Sequence, residues 1–194
     1  MNIRTLILGD YQTNCYLVSD ENGDTAVIDP GYTPERILQA AQGLRIRAIL
    51  LTHGHFDHVG GVRGVAEAAH CPIYGSEREL TLPEPLRHGL TLTDFYAEGD
   101  EITVGKLRFT VLETSGHTSG SVCLRCGNAL FTGDTLFAGS CGRTDLSGGS
   151  MAQMRQSLAR LAAVEDELTV YPGHGPATTL ATEKRTNPYL HNAM

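Results

Sequence analysis

The sequence predicts an α/β fold in which short strands and amphipathic helices alternate. Two observations carry this class. Short apolar runs recur along the chain, each closed by Gly, Asn, Asp or Pro, while stretches with helical spacing lie between them. A comparable β-rich order also occurs in the first and second halves. The chain has 194 residues with 41% hydrophobic content, enough for the sizeable core of one domain spanning 1–194.

Residues 6–8, 15–18 and 25–28 read as short strands parted by Gly, Asn and Asp turns. Thr33-Pro34-Glu35 supplies a capping residue and a proline at the first helical position, so a helix runs to about residue 42 and stops at Gly43. Residues 48–52 form a buried strand, 61–69 a helix and 72–74 another strand. Residues 81–93, with Pro83, Pro85 and Gly89, are the longest irregular stretch and read as a connector rather than a cover over a site. Strands follow at 101–104, 107–112, 121–124 and 129–131. Ser150 caps a helix to about residue 163, and its Met154, Leu158 and Leu161 share one face, the pattern of core packing.

Formal charge is −7 with no Lys/Arg block, which argues against a nucleic-acid surface. No apolar run reaches the roughly 18 residues a membrane span needs, and the N-terminus has no long apolar signal region, so the chain reads as cytoplasmic. Cys15, Cys71, Cys123, Cys126 and Cys141 are odd in number and scattered, which makes free thiols the default. Cys123 and Cys126 have zinc-knuckle spacing but lack a second pair. Cys141 as a nucleophile needs a dedicated base, and the histidines are better explained otherwise.

That explanation starts at His53-Gly54-His55-Phe56-Asp57-His58, directly after the apolar run Ala48-Ile49-Leu50-Leu51. Imidazole and carboxylate are the ligands that borderline divalent metals prefer, and this density serves more than one ion. On an extended strand end, positions 53, 55 and 57 would point one way and 58 the other. His117, Asp134 and His174 each follow a short apolar run and are flanked by glycine, a context that turns the backbone sharply and brings side chains inward. A merely His-rich surface loop does not explain that shared context.

The signature Thr-His-x-His-x-Asp-His, followed by the later His, Asp and His, resembles the metallo-β-lactamase-fold hydrolases. Within that superfamily the chain is most similar to the glyoxalase II branch, the hydroxyacylglutathione hydrolases, and especially to short single-domain bacterial forms. Thr13-Asn14-Cys15-Tyr16-Leu17, Ile28-Asp29-Pro30-Gly31, Phe131-Thr132-Gly133-Asp134-Thr135-Leu136-Phe137, His174-Gly175-Pro176-Ala177-Thr178-Thr179 and the tail from Glu183 to Leu190 carry the likeness. It covers residues 3 to 190.

The resemblance implies a four-layer αββα sandwich with metals at one edge, between two sheets. It assigns His53, His55 and His117 to one metal, and Asp57, His58 and His174 to a second, with Asp134 bridging. Two divalent ions are implied, zinc first, with iron or manganese as alternatives. Such ions, roughly 3.5–4 Å apart, lower the pKa of a shared water from about 15.7 to near 7, so hydroxide is available without a side-chain nucleophile. Asp57 would orient it and receive its proton. A thiolate, with a pKa of about 8.5, leaves without strong acid help, which favours a small thioester such as S-lactoylglutathione. Arg143, in Ser140-Cys141-Gly142-Arg143-Thr144-Asp145, resembles a basic residue facing the substrate. It is equally suited to an ion pair with Asp145. Only 20 residues follow His174, too few for the C-terminal helical domain of full-length glyoxalase II, so the thiol carrier need not be glutathione.

The main rival is a persulfide dioxygenase of the same fold, with one iron on His53, His117 and Asp134. It shares a Cys-Gly-Arg-Thr-Asp stretch like 141–145. The segment from Phe131 to Phe137 and the C-terminal one favour the hydrolase. The full ligand set argues against a β-lactam hydrolase and against a non-enzymatic metal-binding scaffold, and nuclease members usually carry a further large domain. The partner is then a small molecule, with neither nucleic acid nor membrane, and oligomeric state is not legible.

Overall fold

A computed structural model describes residues 1–165 and 167–193. The first half gives β1 (Asn2–Leu8), β2 (Thr13–Ser19), β3 (Asp24–Ile28), α1 (Pro34–Ala40), β4 (Arg45–Leu50), α2 (Phe56–Val59), α3 (Val62–Ala69), β5 (Ile73–Gly75), α4 (Glu84–Arg87) and β6 (Asp94–Phe95). The second half gives β7 (Glu101–Val104), β8 (Leu107–Glu113), β9 (Val122–Cys126), β10 (Ala129–Gly133), β11 (Leu136–Phe137), β12 (Ser140–Cys141), α5 (Met151–Ala162), β13 (Thr169–Pro172), β14 (Thr178–Thr179), α6 (Leu180–Thr186) and α7 (Pro188–His191).

Six strands pair in the order β1-β2-β3-β4-β5-β6, antiparallel up to β3 and parallel from β3 onward. The second sheet has the order β14-β13-β10-β9-β8-β7 and is antiparallel except for the β10–β13 pair. The strand period of two then sorts apolar side chains into layers. Ala26, Ile28, Ala48 and Leu50 pack between the sheets against Phe109, Val111, Leu124 and Phe131. Their neighbours Val27, Ile49 and Leu51 face outward onto Ile37, Val62 and Val65 of α1 and α3. In the second sheet Cys123, Leu130 and Val170 face Met154, Leu158 and Leu161 of α5 and Leu180 and Leu190 of the tail helices. Helix, sheet, sheet, helix is therefore the layer order, as the resemblance implied.

Local signals held unevenly. Ser150 caps α5, its hydroxyl accepting from the Gln153 N–H, and the expected Met154-Leu158-Leu161 stripe is buried. Thr33 does not cap α1. Its backbone is left-handed (φ 48°), which turns the hydroxyl away from the first helical N–H groups, and Pro34 alone starts the helix. Residues 81–93 are not a plain connector, since they include α4, whose Leu86 lines the cavity described below. No helix among the described residues is long and apolar enough to cross a membrane.

Candidate metal centre

β4 ends at Leu50, and the chain runs through Thr52-His53-Gly54 to His55, the residue that opens α2. His55 is extended (φ −69°, ψ 145°), whereas Asp57 and His58 lie in a helical turn. The expected strand alternation at positions 53–58 is thus replaced by an extended loop followed by one turn of helix. That switch, rather than pleating, is what separates the 53/55 pair from the 57/58 pair. His117 lies in the loop after β8, Asp134 directly after β10 and His174 directly after β13. Three strand ends of one sheet therefore meet the β4–α2 loop of the other.

All seven residues come together. His55 Nδ1 lies 2.8 Å from His117 Nε2, and the His53 ring centroid is 5.0 Å from that of His55 and 4.7 Å from that of His117. Asp57 Oδ2 lies 3.2 Å from His174 Nε2 and 3.6 Å from His58 Nε2, and the two Nε2 atoms are 3.4 Å apart. Asp134 touches both groups: Oδ2 is 3.4 Å from His117 Nε2 and 3.5 Å from His174 Nε2, and Oδ1 is 3.4 Å from His58 Nε2. The donors of His53, His55 and His117 are close enough together to share one ion, as are those of Asp57, His58 and His174. His53 Nε2 is buried without a hydrogen-bond partner, and His55 Nδ1 and His117 Nε2 are brought face to face in the same buried space. Orphaned buried polar atoms are costly, and a cation supplies the partner such lone pairs lack. The residues present fit divalent metal.

The ligand atoms are aimed by a surrounding set of partners. His117 Nδ1 donates to the Arg143 carbonyl (2.7 Å) and His174 Nδ1 to the Tyr11 carbonyl (3.0 Å), which turns the Nε2 edge of each ring inward. His58 Nδ1 pairs with Asp29 Oδ2 at 2.9 Å, and Asp29 also accepts from the Thr52 hydroxyl (2.6 Å) and N–H (2.8 Å). Thr13 donates to Asp57 Oδ2. Asn14 holds the His174 loop through the Pro172 and Gly175 carbonyls, at 3.0 and 2.8 Å. Asp29, Thr13 and Asn14 fall in segments that carried the family likeness, which was their only signal. The Tyr11 and Arg143 carbonyls are backbone and leave no mark in the sequence.

Charge divides the cluster. Burial, then the neighbouring imidazoles, pushes His53 well below the ordinary histidine range and His55 down to about 4. Burial also lowers His117 against the pull of Asp134. Burial opposes charge on His58 as well, but Asp134 and Asp29 outweigh it and hold this histidine above its usual range. His174 is raised in the same way by Asp57 and Asp134. Burial works against ionised Asp57 and Asp134, yet His174 and His58 keep the former low, and His58 and His117 the latter.

A cavity of about 440 Å³ opens over the centre, walled by Tyr11, Phe56, Leu86, Phe137 and Leu146. Arg143, beside it, binds Asp145 through Nε (2.7 Å) and Nη2 (2.8 Å) with both side chains exposed, so the ion pair considered for this arginine does form. Cys123 and Cys126 join different core layers on opposite faces of β9, which rules out a shared metal. The Cys141 thiol is half-buried and raised by burial, the wrong direction for a nucleophile.

Comparison with known proteins matches residues 8–174 to the family described as "Metallo-beta-lactamase superfamily". Hydroxyacylglutathione hydrolase GloC of Haemophilus influenzae is 34% identical, with 99% of each chain covered. Hydroxyacylglutathione hydrolase of Aeromonas salmonicida is 42% identical over 82% of this chain and 59% of its own length. Among solved structures, TTHA1623 in a di-iron-bound form is 40% identical, with a TM-score of 0.84 over 96% of this chain and 99% of that one. ETHE1 from Myxococcus xanthus is 32% identical, with a TM-score of 0.85 over 100% and 90%. Sheet order, the meeting of strand-end histidines and aspartates, and a match across most of the sequence agree, and the chain belongs to the metallo-β-lactamase superfamily.

Proposed function

We propose that this protein is a metal-dependent hydrolase of small thioesters, S-lactoylglutathione or a related acyl-thiol. The observation that carries it is the convergence of all seven donors on two three-residue groups joined by Asp134, beneath one open cavity. Likeness over nearly full length to a hydroxyacylglutathione hydrolase supports the substrate class. His53, His55 and His117 would hold one divalent ion, Asp57, His58 and His174 the other, and Asp134 would contact both. When bound, such a pair brings the pKa of a shared water towards neutrality and polarises a carbonyl.

The chain's own residues do the rest. Asp57, kept ionised beside His174 and oriented by Thr13, is a carboxylate acceptor for the proton released as water attacks. The apolar walls Tyr11, Phe56, Leu86, Phe137 and Leu146 would seat the acyl group. Arg143 would exchange Asp145 for a substrate carboxylate, since an exposed ion pair is weakly held. A thiolate departs unassisted, so no dedicated acid is required.

The likeness to ETHE1 supports a second reading, a mononuclear-iron dioxygenase on His53, His117 and Asp134. One sample tests both: metal content, anaerobic thioester turnover, and oxygen consumption with glutathione persulfide. Two ions with oxygen-independent turnover are expected. A single iron with oxygen uptake and no thioester turnover would overturn the hydrolase.

A further inference from the structure

Glu79 belongs to neither group of donors, yet it is 2% exposed and lies against both loops of the three-histidine group. It sits in a 3₁₀ turn, Glu77–Thr81, that follows β5. Its Oε2 accepts from the Gly54 N–H at 2.5 Å, and Gly54 is the residue between His53 and His55. Its Oε1 accepts from the Thr118 hydroxyl at 2.7 Å, and Thr118 follows His117. The Gly120 N–H donates to the same carboxylate. Thr118 is itself set by Ser121, whose hydroxyl lies 2.7 Å from that of Thr118 and accepts the Thr118 N–H. Among the described residues, every hydrogen-bond partner of the Glu79 carboxylate is a donor, so it serves as an acceptor for two loops that lie far apart in sequence.

The fit is close on both sides. A Cβ added to Gly54 would stand 2.9 Å from Oε2, and one added to Gly120 would stand 2.4 Å from Oε1. Both loops can reach the carboxylate only because these positions lack side chains. Burying a carboxylate is costly, and burial does raise Glu79 against the hydrogen bonds that favour its charge.

We propose that Glu79 is the positioning residue of the three-histidine group, a single carboxylate that locks the His53–His55 loop to the His117 loop and thereby sets the spacing of their imidazoles. This rests on reading the cluster as a metal centre, not on the thioester substrate.

The test reads metal binding without turnover. In a His174→Ala background, which leaves the three-histidine group intact, cobalt(II) affinity is measured by competition with a chromophoric chelator, together with the ligand-field absorption spectrum. Glu79→Gln keeps the shape but turns an amide N–H towards a donor. It is expected to weaken cobalt about ten- to a hundredfold and to shift the spectrum. Thr118→Val removes one donor without touching the carboxylate and should give a smaller loss in the same direction. It also serves alone if Glu79→Gln does not fold. Val65→Ala, a core truncation under α3, should lower the thermal midpoint while leaving affinity and spectrum unchanged. Native affinity and spectrum in both Glu79→Gln and Thr118→Val, or an equal loss in Val65→Ala, would overturn the proposal. Thioester turnover enters none of these readings, so its failure would bear on the substrate assignment alone.

Discussion

Without metal, the two groups of donors in the centre balance their charge by opposite routes. His53, His55 and His117 are all but fully buried, contain no carboxylate, and are driven neutral by burial and mutual repulsion. Asp57, His58 and His174 mix signs, and His174 remains 27% exposed. Here the carboxylates stabilise imidazolium and are stabilised by it. The first group must be held in place from outside, which Glu79 and the Arg143 carbonyl do. The second is partly self-compensating, with Asp29 and Asn14 behind it. Both groups are framed from outside, but only the mixed set also balances charge within itself.

Asp134 is the residue common to both groups, and removing it should break the comparison altogether. Asp134→Ala is expected to lower turnover by about a thousandfold, the several kcal/mol that metal-assisted charge stabilisation supplies, and to lose one or both ions. Normal two-metal stoichiometry with normal turnover would show that it joins nothing. Next in size are the paired variants His117→Ala and His174→Ala. Each should lose one ion, and the ion lost should be more tightly bound for His117, which is buried, than for His174, which is 27% exposed. Equal affinities for the two lost ions would erase the distinction.

The metal-free protein offers a third way to sharpen it, through pH. His55 has a depressed folded pKa of about 4, so its burial as the neutral form contributes stability above the unfolded value near 6.5. That contribution is lost as pH falls from 6.5 towards 4. His58 is raised, so its contribution is complete below the unfolded value and disappears as pH rises through the folded one. Thermal midpoints across pH for His55→Gln and His58→Gln, each subtracted from the parent, should therefore slope in opposite directions. Slopes of the same sign would contradict the split.

Smaller effects follow outside the donors. Arg143→Ala keeps the carbonyl that orients His117 and removes only the guanidinium, so KM should rise about tenfold while kcat changes little. A fall in kcat instead would mean that the side chain acts on the His117 side of the centre. Cys126→Ser should leave metal content and turnover unchanged, because its thiol faces the inter-sheet core.

Much of the centre was legible because short polar motifs stand out from apolar runs. His53, His55, Asp57 and His58 crowd into six positions, and His117, Asp134 and His174 each follow an apolar run beside glycine, a context that local sequence preserves. Glu79 escaped notice, as one of two glutamates in Glu77-Arg78-Glu79, where nothing in the local sequence marks one as buried and the other as exposed. Residues 81–93 differ from the expected connector for a related reason. Prolines and a glycine signal irregular backbone, but not that one turn of helix brings Leu86 over the cavity. The tail from Glu183 to Leu190 carries part of the family likeness, but its sequence does not show what it holds. Glu183, buried, accepts from Gly139 and Thr178, and Asn187 reaches the Phe137 and Ser140 carbonyls, fixing the loop that leads to Arg143.

By itself the sequence determined what repeats locally: strand alternation, the α5 stripe with its Ser150 cap, and the seven histidines and aspartates that cluster at one edge. Side-chain chemistry and the periods of helix and strand are properties of neighbouring residues, so they survive in one dimension. Tertiary structure alone decided which donors share a group, which carbonyls aim His117 and His174, and that Glu79 joins two loops. Those relations are hydrogen bonds and distances between residues far apart in the chain. They exist only once two sheets have packed face to face and brought their strand ends to one edge.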